Sequence, residues 1–235
     1  MIAQLKAAGV TTVVPLWDPL YPILITREAS NQLYFPEWFI AGIGLSDTIS
    51  AGRLYDANQW SHAFGISPLW VPWANLEVTA AYRAYHHMRP TAPRGEEGVL
   101  HTIYMSRIET LFRGIQMAGP NLTQESYLNG LYSYPPTGGA PTAPLVYYTQ
   151  QYPTEAKDFS EVWWDPSTSG PDERGENGQG SMLRADGGAR YEPGEWPVGP
   201  PSRANPANLS DDQPTYPHEA DGHTHDPNQR CLSCA

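Results

Sequence analysis

Four groups of residues have the types and spacing to do chemistry. In "PLWDPLYP", Trp17 and Asp18 stand side by side just after the apolar run "VTTVV". An aromatic face next to a carboxylate grips an ammonium group or a flat polar molecule. In "GIGLSDTI", Ser46 and Asp47 follow a second apolar run at the point where a helix is expected to begin, so the hydroxyl and the free helix amides would hold an anion. The plain readings are that Asp47 caps the helix and Trp17 fills a surface. In the C-terminal stretch, His218, His223, His225, Cys231 and Cys234 are soft or borderline metal ligands. The Cys-x-x-Cys pair supplies half a zinc site that His223 and His225 would complete; the competing reading is a labile thiol pair in an unstructured tail. Last, "DPSTSGPDERGENG" places Asp165, Asp172, Glu173, Glu176 and Asn177 in one oxygen-rich loop, a calcium candidate without EF-hand spacing or simply a solvated charged loop.

The elements that must position these groups alternate between strand-like and helical patterns over residues 1 to about 134, the order expected of a parallel sheet flanked by helices. "IAQLKAA" reads as a helix stopped by Gly9, and "VTTVVPLW" and "EWFIAGIG" as strands buried on both faces. "PILITREASNQLY" reads as a helix between them. "SDTISAGRLYDANQW" is expected to be helical with Ser46 or Asp47 as N-cap, and "SHAFGIS" to be a third strand. The longest helix is expected over "EEGVLHTIYMSRIETLFRGIQMAG", where Leu100, Tyr104, Ile108, Leu111, Ile115 and Ala118 form one stripe ended by Gly119 and Pro120. Thr123 should cap the next helix. Beyond about residue 135, "APLVYYTQQY", "DFSEVWWD" and "GSMLRADGGARY" read as short antiparallel or edge strands.

Composition excludes several classes. A formal charge of −11 with only 14 Lys and Arg among 235 residues argues against a protein that tracks phosphates. No apolar run reaches the roughly 18 to 20 residues that span a bilayer. "MIAQLKAAGV" lacks the charged, apolar and small-residue regions of a secretory signal. The 2 cysteines sit in the last five residues and cannot staple the core. No G-x-S-x-G, H-E-x-x-H or P-loop pattern is present, and "GIGLSD" lacks the third glycine of a dinucleotide fingerprint. Asn121 and Asn208 match the short glycosylation pattern.

"IAQLKAAGVTTVV", "YFPEWFIAGIG" and "YMSRIETLFRGIQMAGPNLTQESYLNGL", in this order, resemble the second half of the type I periplasmic binding proteins, the branched-chain amino-acid-type receptors of ABC importers. The likeness covers roughly residues 1 to 196, with 197–235 a proline-rich, acidic, disordered tail; residues 165 to 235 hold 12 acidic and 5 basic residues. The resemblance implies an α/β clamp of two lobes that closes on a small polar ligand, an amino acid or amide, at the strand carboxyl ends. Trp17, Asp18, Ser46 and Asp47 are then the ligand candidates. It implies a non-enzymatic bacterial protein, periplasmic or extracellular, that delivers its ligand to importer membrane subunits. It also implies that most of the first lobe is absent, which leaves the stripe of Leu100, Ile108 and Leu111 without a partner. The competing readings are an α/β enzyme or metal-dependent protein with a His/Cys tail site, and a ligand-sensing domain.

Overall fold

The computed structural model describes residues 1–16, 18–70, 76–97, 104–139, 143–195 and 197–204. The described residues form two compact units: the first within 1–70, 139, 143–144 and 158–204, the second within 76–138 and 145–157.

The first unit is an α/β layer. Its elements are α1 (Ile2–Ala7), β1 (Thr12–Val13), α2 (Tyr21–Asn31), β2 (Glu37–Ile40), α3 (Ile49–Gly52), α4 (Ala57–Trp60), β3 (Ala63–Ser67), β4 (Phe159–Pro171), β5 (Asn177–Arg184) and β6 (Arg190–Tyr191). Among the described residues they build a sheet of order β1-β2-β3-β4-β5, with β6 on β4. β1, β2 and β3 run parallel, and β4, β5 and β6 are antiparallel additions. The α/β class, the flanking helices and the antiparallel additions match expectation. β1 does not bury both faces: Val13 and Pro15 are buried while Val14 and Leu16 are exposed, because β1 is an edge strand with one covered face.

Alternation decides the core. Val13, Trp38, Ile40, Ala63, Val162, Trp164 and Met182 point to one face and pack with Ile2, Ile25, Ala29, Ile49, Tyr55 and Trp60 from the helices. Each intervening residue points the other way, where Phe39 and Phe64 meet edge to face at 5.7 Å and Trp163, Leu183 and Ala185 cluster. The Trp164 ring is wedged between two glycines. A Cβ on Gly52 would lie 2.5 Å from it and one on Gly180 2.3 Å.

Gln59, fully buried on the helix side, is paired at both ends of its amide. Gln59 accepts from the Trp38 indole at 3.1 Å and donates to Tyr34 O at 2.9 Å and to Ser30 Oγ at 3.1 Å. The expected single helix after β2 is two short ones, because Asp56 caps a new start by accepting from Asn58 N and Gln59 N.

The second unit holds a 3-10 turn (Leu76–Val78) and three helices, α5 (Ala80–Met88), α6 (Met105–Ala118) and α7 (Gln124–Ser133). α6 and α7 approach closely because Gly114 makes room for Tyr127, and Gly130 for Met117. Thr123 caps α7 with a reciprocal Ser126 capping box, and Gly119 ends α6 in the left-handed region, φ +73°. α6 starts at Met105; Leu100 and the rest of the expected first turns lie outside the described residues. The stripe faces solvent: Tyr104, Ile108 and Leu111 are exposed. "APLVYYTQQY" forms no strand, and only Val146 bridges Thr137 and Ala156. Lys157 ties that segment down, donating to Tyr152 O at 2.8 Å and to Thr154 O, beside the rings of Tyr147 and Tyr148.

Candidate functional site

Open α/β sheets bind ligands at the carboxyl ends of their parallel strands. Here those ends are the segment after β1, the loop 41–48 after β2, and Pro68, Leu69 and Trp70 after β3, all in the first unit.

Trp17 lies outside the described residues. Asp18 is exposed, and its Oδ1 accepts from Leu20 N at 2.9 Å and Tyr21 N at 3.1 Å, closing the turn that leads into α2. Ser46 and Asp47 turn inward and are almost fully buried. Neither is the helix cap. That place belongs to Thr48, whose side chain accepts from Ala51 N. The helix-start amides proposed for an anion are already occupied: Glu173 accepts Ile49 N at 2.7 Å and Ser50 N at 3.0 Å. Ser46 Oγ donates to Ile43 O at 2.8 Å.

Asp47 instead accepts from Ser67 Oγ at 2.6 Å. Burial pushes its carboxyl up to about 6; the Ser67 donor, its own backbone amide and the Arg184 charge pull it down, and Glu173 adds to the rise. Ser67 Oγ accepts Leu69 N at 3.1 Å. Arg184 donates through Nη2 to Leu69 O at 3.0 Å and Trp70 O at 2.9 Å. Arg190 ion-pairs with Asp158 at 2.9 Å, both buried, and reaches Ser160 Oγ and Pro68 O. The two guanidiniums therefore hold the turn after β3 by its carbonyls. Burial and the neighbouring Arg190 bring Arg184 down to about 10, still charged at neutral pH. Arg184 Nε is buried without a partner among the described residues. Two carboxylates, two guanidiniums and two hydroxyls thus share one strand-end cluster, able to orient a polar group by charge and hydrogen bonds.

Ser67, Asp158, Arg184 and Arg190 were not among the sequence candidates, and one of them left a signal. In "SMLR", Met182 and Arg184 alternate onto the buried side of a strand, which forces a guanidinium into the core.

The oxygen-rich run is not a loop. Asp165 lies in β4 and Asn177 in β5, joined by a tight turn. Asp172 pairs with Arg174 at 2.7 Å, Glu176 with the same Arg174 at 2.8 Å, and Glu173 caps α3, so cations and amides have taken the oxygens a calcium ion would need. Among the described residues no group of three or more His, Cys, Asp or Glu could hold a metal ion. His223, His225, Cys231 and Cys234 lie outside them.

The first unit is thus a mixed α/β sheet, three parallel strands extended by antiparallel ones, with a polar cluster at its strand ends. No family model and no curated protein matches this chain. A solved structure does: a crystal structure of an ABC transporter substrate-binding protein from Aeropyrum pernix, with TM-score 0.51 and 13% identity over 76% of this chain and 45% of that one. The likeness is one of fold, and the chain spans less than half the length of that structure. No helix among the described residues is long and apolar enough to cross a membrane.

Proposed function

We propose that this chain is a solute-binding component of an ABC-type importer, of the type I branched-chain amino-acid class. It takes a small polar ligand such as an amino acid or amide at the carboxyl ends of β1, β2 and β3 and hands it to importer membrane subunits. The work is done in the periplasm or outside the cell and needs no catalysis. Trp17, Asp18, Ser46 and Asp47 are the residues proposed to bind the ligand. The observation that carries this reading is the charged cluster of Asp47, Ser67, Arg184 and Arg190 at the strand ends of a fold shared with a substrate-binding protein.

A ligand gripped on one side only keeps much of its water, so each exposed charge pair contributes no more than about 1 kcal/mol. The 235-residue chain should therefore bind in the millimolar range, near 4 kcal/mol. Titration of the labelled chain with a panel of amino acids and amides, followed by amide chemical shifts, tests this. Shifts concentrated at residues 18, 46–48 and 67–70, weakened by Asp18→Ala, are expected. A panel that leaves those amides unmoved at roughly 10 mM would overturn the reading.

A further inference from the structure

Asp47 makes no ion pair among the described residues, although charged groups surround it. Ser67 faces it from β3, Arg184 from β5, Glu173 from the β4–β5 turn and Tyr55 from the segment after α3, with Arg190 next to Arg184. Its link to the arginines is a relay. Ser67 Oγ donates to Asp47 at 2.6 Å and accepts Leu69 N at 3.1 Å, and Leu69 O accepts from Arg184 at 3.0 Å and Arg190 at 3.5 Å. The loop that carries Asp47 turns through left-handed backbone settings. Gly42 and Gly44 take φ of +68° and +62°, and Leu45 is held at +59°, a left-handed setting that an L side chain disfavours.

We propose that Asp47 is a proton-operated latch: protonated, it keeps loop 42–48 seated on Ser67 and Leu69; ionised, it favours an open loop that admits water to both. The direction follows from burial. In the seated loop the carboxyl is pushed up to about 6, whereas in an opened loop it returns toward 3.8. Protonation therefore stabilises the seated state, and the open population climbs from about pH 4 to about pH 6 and is level above. No ligand enters this device, so its test and the binding test fail separately.

Amide hydrogen exchange on the full chain, corrected for intrinsic rates, reads the latch at Thr48 N, bonded to Leu45 O, and at Leu69 N, bonded to Ser67 Oγ. Protection at both should fall about fiftyfold between pH 4 and pH 6.5 and then level off. Asp47→Asn should hold high protection throughout. Ser67→Ala removes the donor that lowers the Asp47 carboxyl, so the step read at Thr48 should extend to higher pH. If Asp47→Asn does not fold, the Ser67→Ala step decides. An unshifted step, the same pH dependence in Asp47→Asn, or an Asp47 carboxyl titrating near 3.8 by carbon-13 NMR would each overturn the latch.

Discussion

Glu173 caps Ile49 from 124 positions away, its carboxylate 2.7 Å from the amide that opens α3. The grip is reciprocal. Arg53, just after α3, donates to four carbonyls of the same hairpin: Gly180 and Gly178 on β5, Gly170 on β4 and Glu176 in the turn. A helix of four residues is too short to stand by itself; the β4–β5 hairpin caps its start through Glu173 and anchors the Arg53 side chain just past its end.

Arg53→Ala should therefore cost about 3 kcal/mol, since charged hydrogen bonds contribute roughly 1.5–3 kcal/mol each and do not add. Arg53→Lys should recover only part of this, lacking the planar fork that reaches several carbonyls. Urea unfolding of both variants measures it. Equal stability of wild type and Arg53→Ala would mean the hairpin holds α3 without the clasp.

Asp47 sets a pH dependence with a definite sign. Its folded carboxyl titrates at about 6, above the usual 3.8, so the stability it contributes is present below about pH 4 and lost as pH rises through about 6. Holding the ionised carboxylate in that buried place costs up to about 3 kcal/mol at pH 7. Asp47→Asn should be more stable than wild type at pH 7 and no more stable at pH 4. Urea melts at the two pH values decide; a variant less stable at both would refute the sign.

The wedged Trp164 predicts a severe effect from a single methyl. Gly180→Ala would place Cβ 2.3 Å from the ring at φ +87°, and Gly52→Ala 2.5 Å from it. Overpacking typically costs about 1–3 kcal/mol, and the left-handed backbone at Gly180 adds about 1 kcal/mol more. Thermal unfolding followed by tryptophan fluorescence should show Gly180→Ala as the worse of the two.

Truncation should divide the C-terminal region near residue 204. Asp186 N donates to Ser202 O at 2.8 Å, Ser202 N donates to Asp186 Oδ1 at 2.8 Å, and Arg203 lies 5.2 Å over the Trp163 ring. Removing 205–235, proline-rich and poor in apolar residues, should leave the thermal midpoint within about 2 °C. Removing 198–235 should lower it by several degrees, on the order of 1 kcal/mol for the lost cation–π contact and turn. A scanning calorimeter distinguishes the two cuts.

The α6 stripe is the surface expected to drive self-association, because Tyr104, Ile108, Leu111 and Phe112 are 40–62% exposed. Ile108→Lys with Leu111→Lys should change stability by no more than about 0.5 kcal/mol each, as for surface positions, and reduce concentration-dependent sedimentation. A large fall in the thermal midpoint would show that the face is covered in solution.

Much of the local structure was legible in the chain itself. Gly9 as a helix stop, Thr123 as a cap, Gly119 as an end, and the β-branched and aromatic runs of β2 and β3 depend on neighbours within a few residues, whose propensities and hydrogen bonds are local. The strand-end position of Asp18, Ser46 and Asp47 was legible for the same reason. What Asp47 does there was not. Its donor Ser67 lies 20 positions on, and the arginine and glutamate that bias its charge arrive from β5 and the hairpin turn. Asp or Thr at adjacent positions would serve equally as a cap for α3; packing of loop 42–48 against β3 chose Thr48 and sent Asp47 inward. The acidic run, open in the sequence to a calcium-loop or a solvated-loop reading, is a hairpin in which Arg53 and Arg174 pair with Asp172, and a cation 119 positions before Asp172 leaves no trace in local periodicity. Local hydrogen bonding and periodicity determined the elements. Long-range charge pairing, decided only when the sheet closed, determined which polar groups are buried together.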